Sequence, residues 1–394
     1  MELHAGFPVS GQSGWERVSR GILIALDKLG VVVQLEPKSR WNQERLKLDP
    51  EDGARLHRMT RQKVSLERCS ASLVHQYPSK EFLVSQAMKF GYVKKFCLSL
   101  FETDRCPTPW IEGLNRMDET WVFSEFNREG WTKSGVKNID VIPFAVDTKL
   151  FHPDVDPIKV GGQKDFVFIT NGDYTERKNF EGLIEAFVTE FSSADDVCLI
   201  IKAHYGGFVR RYQENVLRRL REDVLRFNPR NPPRVLLISE KIPEESMPRF
   251  YAAGDCFVLA TRGEGLGLPF AEALACGVPV IAPRWGAHLQ FLNDGNSYLV
   301  DCEVKQIDDM NYIEKCLWAL NHRWAYPLIP SLRQAMRFVY LDREGARERA
   351  MVGCGEMEQR SWQQTALWVI RKIMSSPEDT YKEMFVKDKE LISV

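Results

Sequence analysis

Apolar runs of strand length alternate with amphipathic stretches of helix length through most of the chain. That rhythm is the mark of βαβ units, in which helices join parallel strands. In the first half, strands are expected at residues 31–35, 71–76, 95–101, 120–123 and 139–144, and helices at 15–29, 109–117 and 125–133. Residues 38–68 are highly charged and poor in strand signals, so the pattern assigns them no element. The second half is cleaner: 165–170, 197–202, 234–239, 255–260, 279–282 and 297–300 read as strands with helices between, about one complete doubly wound sheet. Residues 152–164, with Pro153, Pro157, Gly161 and Gly162 and few large apolar side chains, read as a linker. After residue 300 the pattern turns helical to the end and is rich in Trp and Arg. The expected architecture is α/β, with domains at 1–152 and 153–340 facing a central cleft and a helical segment at 341–394.

Composition agrees with two domains, since 394 residues exceed what one ordinary core organises, and 44% apolar with 27% charged residues is a globular balance. A formal charge of -1 provides no field that would draw nucleic acid, so none is expected as a partner. The densest basic stretch, 210–234, interleaves Arg with Val216, Leu217, Leu220, Val224 and Leu225 at helical spacing, which reads as an amphipathic helix with a solvated basic face. Peripheral contact with a membrane stays open, but no apolar run is long enough to span one and the N-terminus lacks a secretory signal. The nine cysteines are scattered, with no metal-ligand spacing, and read as reduced thiols of a cytoplasmic protein. No metal or other cofactor is expected.

The most informative segment is R-G-E-G-L-G-L-P-F-A-E-A-L-A-C-G-V-P-V-I-A-P, residues 262–283. A buried strand ends at Ala260, a glycine-rich loop follows, and Pro269 suits the first turn of a helix that Gly277 ends. Gly263, Gly265 and Gly267 let the backbone approach a ligand, and the free N–H groups of the helix start suit a diphosphate. Glu264 and Glu272 would be repelled by that diphosphate, so each is better used accepting hydrogen bonds from ribose or sugar hydroxyls. A second strand-turn-helix, F-V-F-I-T-N-G-D-Y-T-E-R-K-N at 166–179, puts Arg177 and Lys178 where they could meet the same diphosphate. A third segment, S-G-Q-S-G-W-E-R at 10–17, offers Gly11 and Gly14 as a loop that could close over a donor held by the second domain.

These residues resemble the family-4, group 1 glycosyltransferases, retaining enzymes of the B-type fold with two Rossmann-like domains. The match is carried by the E-x7-E signature, Glu264 to Glu272, with support from Lys178 in R-K-N and from V-I-P-F-A-V-D-T-K-L-F-H-P at 141–153. The resemblance implies a nucleotide-sugar donor bound by the second domain. Lys178 and Arg177 would neutralise its diphosphate, Glu272 would hold the ribose and Glu264 the transferred sugar, with Gly265, Leu266, Gly267, Leu268 and Gly11 around them. It also implies that the helical tail, with Trp362 and Trp368, packs back on the first domain. The acceptor, whether glycan, lipid-linked, protein or small molecule, is not named by the motifs. Where family members carry Arg after the turn glycine, this chain has Asp173, so Arg177 must substitute or one phosphate contact is missing. Where they carry a first-domain His, it reads L-F-E-T-D-R, which offers Glu102 and Asp104 on the acceptor side, with His75 and His4 as other cleft histidines. A nucleotide-sugar epimerase or a non-catalytic nucleotide-binding scaffold of the same fold are the competing readings. A pyridoxal phosphorylase and a dehydrogenase lack their motifs.

Overall fold

The computed structural model describes residues 1–37, 48–204 and 210–375. Two parallel six-stranded sheets organise it. The first is built from β1 (Glu2–Gly6), β2 (Val32–Leu35), β3 (Cys69–His75), β4 (Lys94–Leu98), β5 (Glu119–Val122) and β6 (Ile139–Val141), in the order β2-β1-β3-β4-β5-β6. The second comprises β7 (Phe166–Asp173), β8 (Val197–His204), β9 (Arg234–Ile238), β10 (Cys256–Val258), β11 (Val280–Pro283) and β12 (Tyr298–Val300), in the order β12-β11-β10-β7-β8-β9. Strands covered by helices on both faces carry unbroken apolar runs, as in Phe166–Ile169 and Val197–Ile201. In each sheet the connections reverse direction beside one strand: between β1 and β3 in the first and between β7 and β10 in the second. Loops leaving the strand ends diverge there and leave a crevice, and both crevices face the same cavity.

Each expected strand has a counterpart whose ends lie within three residues of those read from the pattern. Five elements were not anticipated. β1 is a five-residue strand, E-L-H-A-G, too short and too polar at one end to stand out. Helix Pro50–Arg61 lies in the charged stretch that received no assignment, started by Asp49, whose carboxylate accepts from the N–H groups of Glu51 (3.0 Å) and Asp52 (3.2 Å). Helix Lys80–Lys89 lies beyond β3. The segment after residue 300 is not wholly helical: β13 (Cys302–Gln306) and β14 (Arg323–Pro327) form an antiparallel hairpin. Its strands face solvent on one side, so no apolar run betrays them. Residues 38–47 of the unassigned stretch lie outside the described residues. The basic stretch forms helix Arg210–Phe227.

Helix Trp362–Met374 lies against the first sheet. Lys94 Nζ donates to the carbonyls of Ile373 and Ser375, both at 2.9 Å, Thr365 Oγ1 donates to the Pro143 carbonyl at 2.9 Å, and Trp368 meets Trp121 edge-on at 5.1 Å. Among the described residues no helix is long and apolar enough to cross a membrane. The nine cysteines form no disulfide.

Candidate functional site

The loops of both crevices line one cavity of about 470 Å³ between the sheets. On the second-domain side, β10 runs into the glycine-rich loop, and Gly267, at φ 86°, caps helix Leu268–Ala275 in a left-handed conformation that a glycine adopts without strain. A Cβ on Gly263 would lie 2.0 Å from the carbonyl of Glu102, and one on Gly265 would lie 2.3 Å from Leu100. The sequence reading gave these two glycines to a ligand. The structure uses them first for close approach of the first domain, which leaves no room for a side chain.

The neighbouring loop is tied to this one. Asn179 Nδ2 donates to the Ala260 carbonyl at 3.0 Å, and the N–H of Arg262 donates to the Arg177 carbonyl at 2.7 Å. The two loops therefore bring together side chains far apart in sequence. Lys178 Nζ lies 2.6 Å from Glu264 Oε1, and Arg177 reaches the same oxygen at 3.3 Å and Glu102 of the first domain at 3.5 Å. Burial alone would raise the Glu264 pKa, but the charges of Lys178 and then Arg177 override it and hold the carboxyl at about 2. Burial lowers the Lys178 pKa against the pull of Glu264. Glu264 is thus a carboxylate at any working pH and cannot donate a proton.

Glu272 lies one turn into the helix and is 1% exposed. Its Oε1 pairs with Arg17 at 2.7 Å, while Tyr251 Oη donates to Oε2 at 2.8 Å and itself accepts from Asn171 Nδ2 at 2.8 Å. Burial raises its pKa, with Arg17 and Tyr251 opposing. Arg17 belongs to helix Gly14–Lys28, whose start is set by the Glu16 carboxylate accepting from the Ser13 N–H at 3.1 Å.

The structure brings Glu264, Lys178, Arg177, Gly265, Leu266, Gly267, Leu268, Glu102 and His75 to the cavity, with Glu272 behind it on Arg17. Three anticipated residues are elsewhere. Gly11 does not line the cavity: its carbonyl accepts from Arg20 at 2.6 Å, and Gln12, Ser13 and Gly14 are the loop residues that do. Asp104 faces the hairpin, accepting from the Arg323 N–H at 2.8 Å. His4 is drawn away by Glu36, 3.1 Å from its Nε2, and by the ring of Phe90. The sequence reading missed Arg17, Lys202, Lys241, Trp15 and Tyr77, all lining residues. Lys202 left a signal, as a cation closing the buried run V-C-L-I-I.

Residues 163–322 match the family model described as glycosyl transferases group 1. The chain is 32% identical to the O-antigen chain mannosyltransferase B of Escherichia coli over 111 residues, 28% of this chain and 26% of that protein. It is 25% identical to the lipopolysaccharide core biosynthesis mannosyltransferase LpsB of Rhizobium meliloti over 217 residues, 48% of this chain and 59% of that one. The alignments thus span between about a quarter and three fifths of these relatives' lengths. In fold, the chain is similar to sucrose-phosphate synthase from Thermosynechococcus elongatus, with a TM-score of 0.66 at 15% identity over 98% of this chain and 100% of that one.

Proposed function

We propose that this chain, in which residues 163–322 form a group 1 glycosyltransferase domain, transfers a sugar from a nucleotide-sugar donor to an acceptor hydroxyl. The observation that carries this reading is the convergence of Lys178, Arg177 and Glu264 with the start of helix Leu268–Ala275 on one interdomain cavity. A diphosphate at that helix start meets the positive end of the helix and two cations, while Glu264 beside them accepts from sugar hydroxyls. In the transfer step the bond from the anomeric carbon to the diphosphate breaks, the acceptor oxygen bonds to that carbon, and the acceptor proton passes to the departing phosphate on the same face. Configuration is retained. Negative charge grows on the diphosphate as the bond breaks, so Lys178 and Arg177 stabilise the transition state more than the bound donor. Glu264, ionised and held by both cations, positions the sugar.

The two relatives are mannosyltransferases by name, which supports a mannosyl donor as the first to assay. Purified protein is expected to hydrolyse GDP-mannose slowly in the absence of acceptor, and to do so in excess EDTA, because side-chain cations carry the neutralisation. Lys178→Ala should lower kcat more than it raises KM, with partial rescue by Lys178→Arg. Binding of GDP or UDP without turnover of GDP-mannose or UDP-glucose would favour a nucleotide-binding scaffold, and rescue of an EDTA-treated enzyme only by Mn²⁺ or Mg²⁺ would overturn the metal-free scheme.

A further inference from the structure

The first-domain wall of the cavity has a chemistry different from the donor wall. Trp15, on the first turn of helix Gly14–Lys28, packs its ring 4.6 Å from that of Tyr77 and 4.5 Å from that of His75. Tyr77 is 47% exposed although it lines a cavity, and its hydroxyl lies at a long hydrogen-bond distance, 3.5 Å, from Glu102. His75 is 1% exposed; Ser19 Oγ is 2.8 Å from its Nδ1, and Nε2 has no hydrogen-bond partner in the protein. An orphaned buried nitrogen is costly to keep, and it lies on the one wall whose ligand the donor site does not specify. Burial drives the ring's pKa down to about 3, so it stays neutral, and with a proton on Nδ1 its Nε2 is an acceptor for a hydroxyl.

Charge narrows the ligand further. Among the described residues lining this wall, Arg17 is the one cation, and Glu272 engages it at 2.7 Å. Glu102 adds a negative charge. Arg177 in turn pairs with Glu102 at 3.5 Å, so the charges of this wall are matched in pairs, and a pyranose ring brings an apolar C–H face for the aromatic rings and hydroxyls for Glu102 and His75. Arg177, which touches both Glu102 and Glu264, places that hydroxyl edge next to the carboxylate that holds the donor sugar.

We propose that Trp15 and Tyr77, with Glu102 and Nε2 of His75 at their edge, form a subsite for a neutral sugar ring of the acceptor, so that the acceptor is a glycan or glycoside whose hydroxyl attacks the donor. The proposal rests on the glycosyltransferase reading above and names the class of its second substrate.

The test uses the full chain saturated with GDP, and saturation-transfer NMR with three neutral disaccharides (mannobiose, maltose and chitobiose), with glycerol 1-phosphate and phosphatidylglycerol vesicles as the competing probes. At least one disaccharide should receive saturation on its ring protons, and Trp15→Ala and Tyr77→Ala should each weaken its binding roughly tenfold. Trp15→Phe and Tyr77→Phe keep an aromatic face and should retain most of it. GDP affinity by calorimetry, unchanged in all four variants, shows that the fold and donor site survive. Binding of no disaccharide, binding of glycerol phosphate or vesicles in their place, or equal disaccharide affinity in the alanine variants would overturn the subsite. Failure of the parent protein to bind GDP or UDP would instead overturn the glycosyltransferase reading, and the disaccharide titration would then be read in buffer alone, with the same outcomes.

Discussion

Glu264 and Glu272 sit eight positions apart, yet their surroundings give them different work. Glu264 lines the cavity with Lys178 and Arg177 on one oxygen and Thr261 also bonded to the carboxylate, and the proposed reading assigns it the donor sugar. Glu272 lies behind the cavity, its two oxygens held by Arg17 and Tyr251, and the resemblance assigns it the ribose, which every nucleotide carries whether or not a sugar is attached. Glu264→Gln should therefore leave GDP affinity nearly unchanged while sharply reducing transfer. Glu272→Gln should weaken GDP and GDP-mannose alike by about 1.5 to 3 kcal/mol, the worth of a charge-assisted hydrogen bond. Calorimetry of both variants with both ligands gives four affinities, and equal losses throughout would show that the carboxylates only shape the loop. His75 makes a separate prediction. Its pKa falls from 6.5 to about 3 on folding, so below pH 6.5 the unfolded chain binds a proton that the native state refuses, and stability declines as pH falls toward 3. The slope contributed by this one ring approaches about 1.4 kcal/mol per pH unit. His322, lowered to about 4 by burial, acts in the same direction, so the comparison must be between His75→Gln and parent. Urea unfolding between pH 6 and pH 4 should show a shallower loss in the variant, and parallel curves would refute the assignment. Glu264, Lys178 and Arg177 were legible because each lies in a loop bounded by a clear strand and helix. Trp15 and Tyr77 were not, because their contact exists only where β1 and β3 lie side by side.

Helix Gly14–Lys28 is the element that joins the two halves of the site. Arg17 and Arg20, one turn apart, reach Glu272 and Glu244 of the second domain, and Arg20 also donates to the carbonyls of Val9 (3.0 Å) and Gly11 (2.6 Å). Arg20 is 3% exposed, and its ion pair with Glu244 is bought with desolvation. Arg20→Ala removes the partner of the half-buried Glu244 and loosens the glycine loop, so it should cost about 3 kcal/mol of stability, while the double replacement Arg20→Met with Glu244→Met should cost much less. Chemical denaturation of the two single variants and the double variant measures the coupling, and additive losses would show that the pair does not interact. From sequence, the Gly11–Gly14 stretch was read as a loop that closes on a donor. The physical agent is the helix after it, whose arginines look in sequence like any solvated helical charge. The hairpin β13–β14 escaped notice for the related reason that its outward positions, such as Glu303 and Lys305, carry charge rather than an apolar alternation.

Across the whole molecule, the doubly wound pattern of the second half was legible because its central strands are buried on both faces and so stay largely apolar. The shorter strands of the first half, and the way the two halves meet, depend on contacts between distant residues such as Thr103 Oγ1 and His322 Nδ1 at 2.7 Å. The return of helix Trp362–Met374 to the first sheet has a mechanical consequence. The backbone passes between the domains once in the stretch joining β6 to β7, and again between helix Arg343–Glu358, where Gly353 packs on Leu274, and the helix bonded to Lys94. Two crossings define a line, and a body tethered at two points swings about that line while resisting twist. Any opening and closing of the cavity is therefore expected to follow one rotational coordinate, as in a door on two pins. Cutting the chain after Arg360 removes one pin. The shortened protein should retain GDP binding but show a broader distribution of interdomain distances by double electron–electron resonance between spin labels at Arg116 and Arg218, both exposed. A distribution as narrow as the parent's would mean that the single remaining strand and the ion pairs of the cleft already fix the path along which the two halves meet.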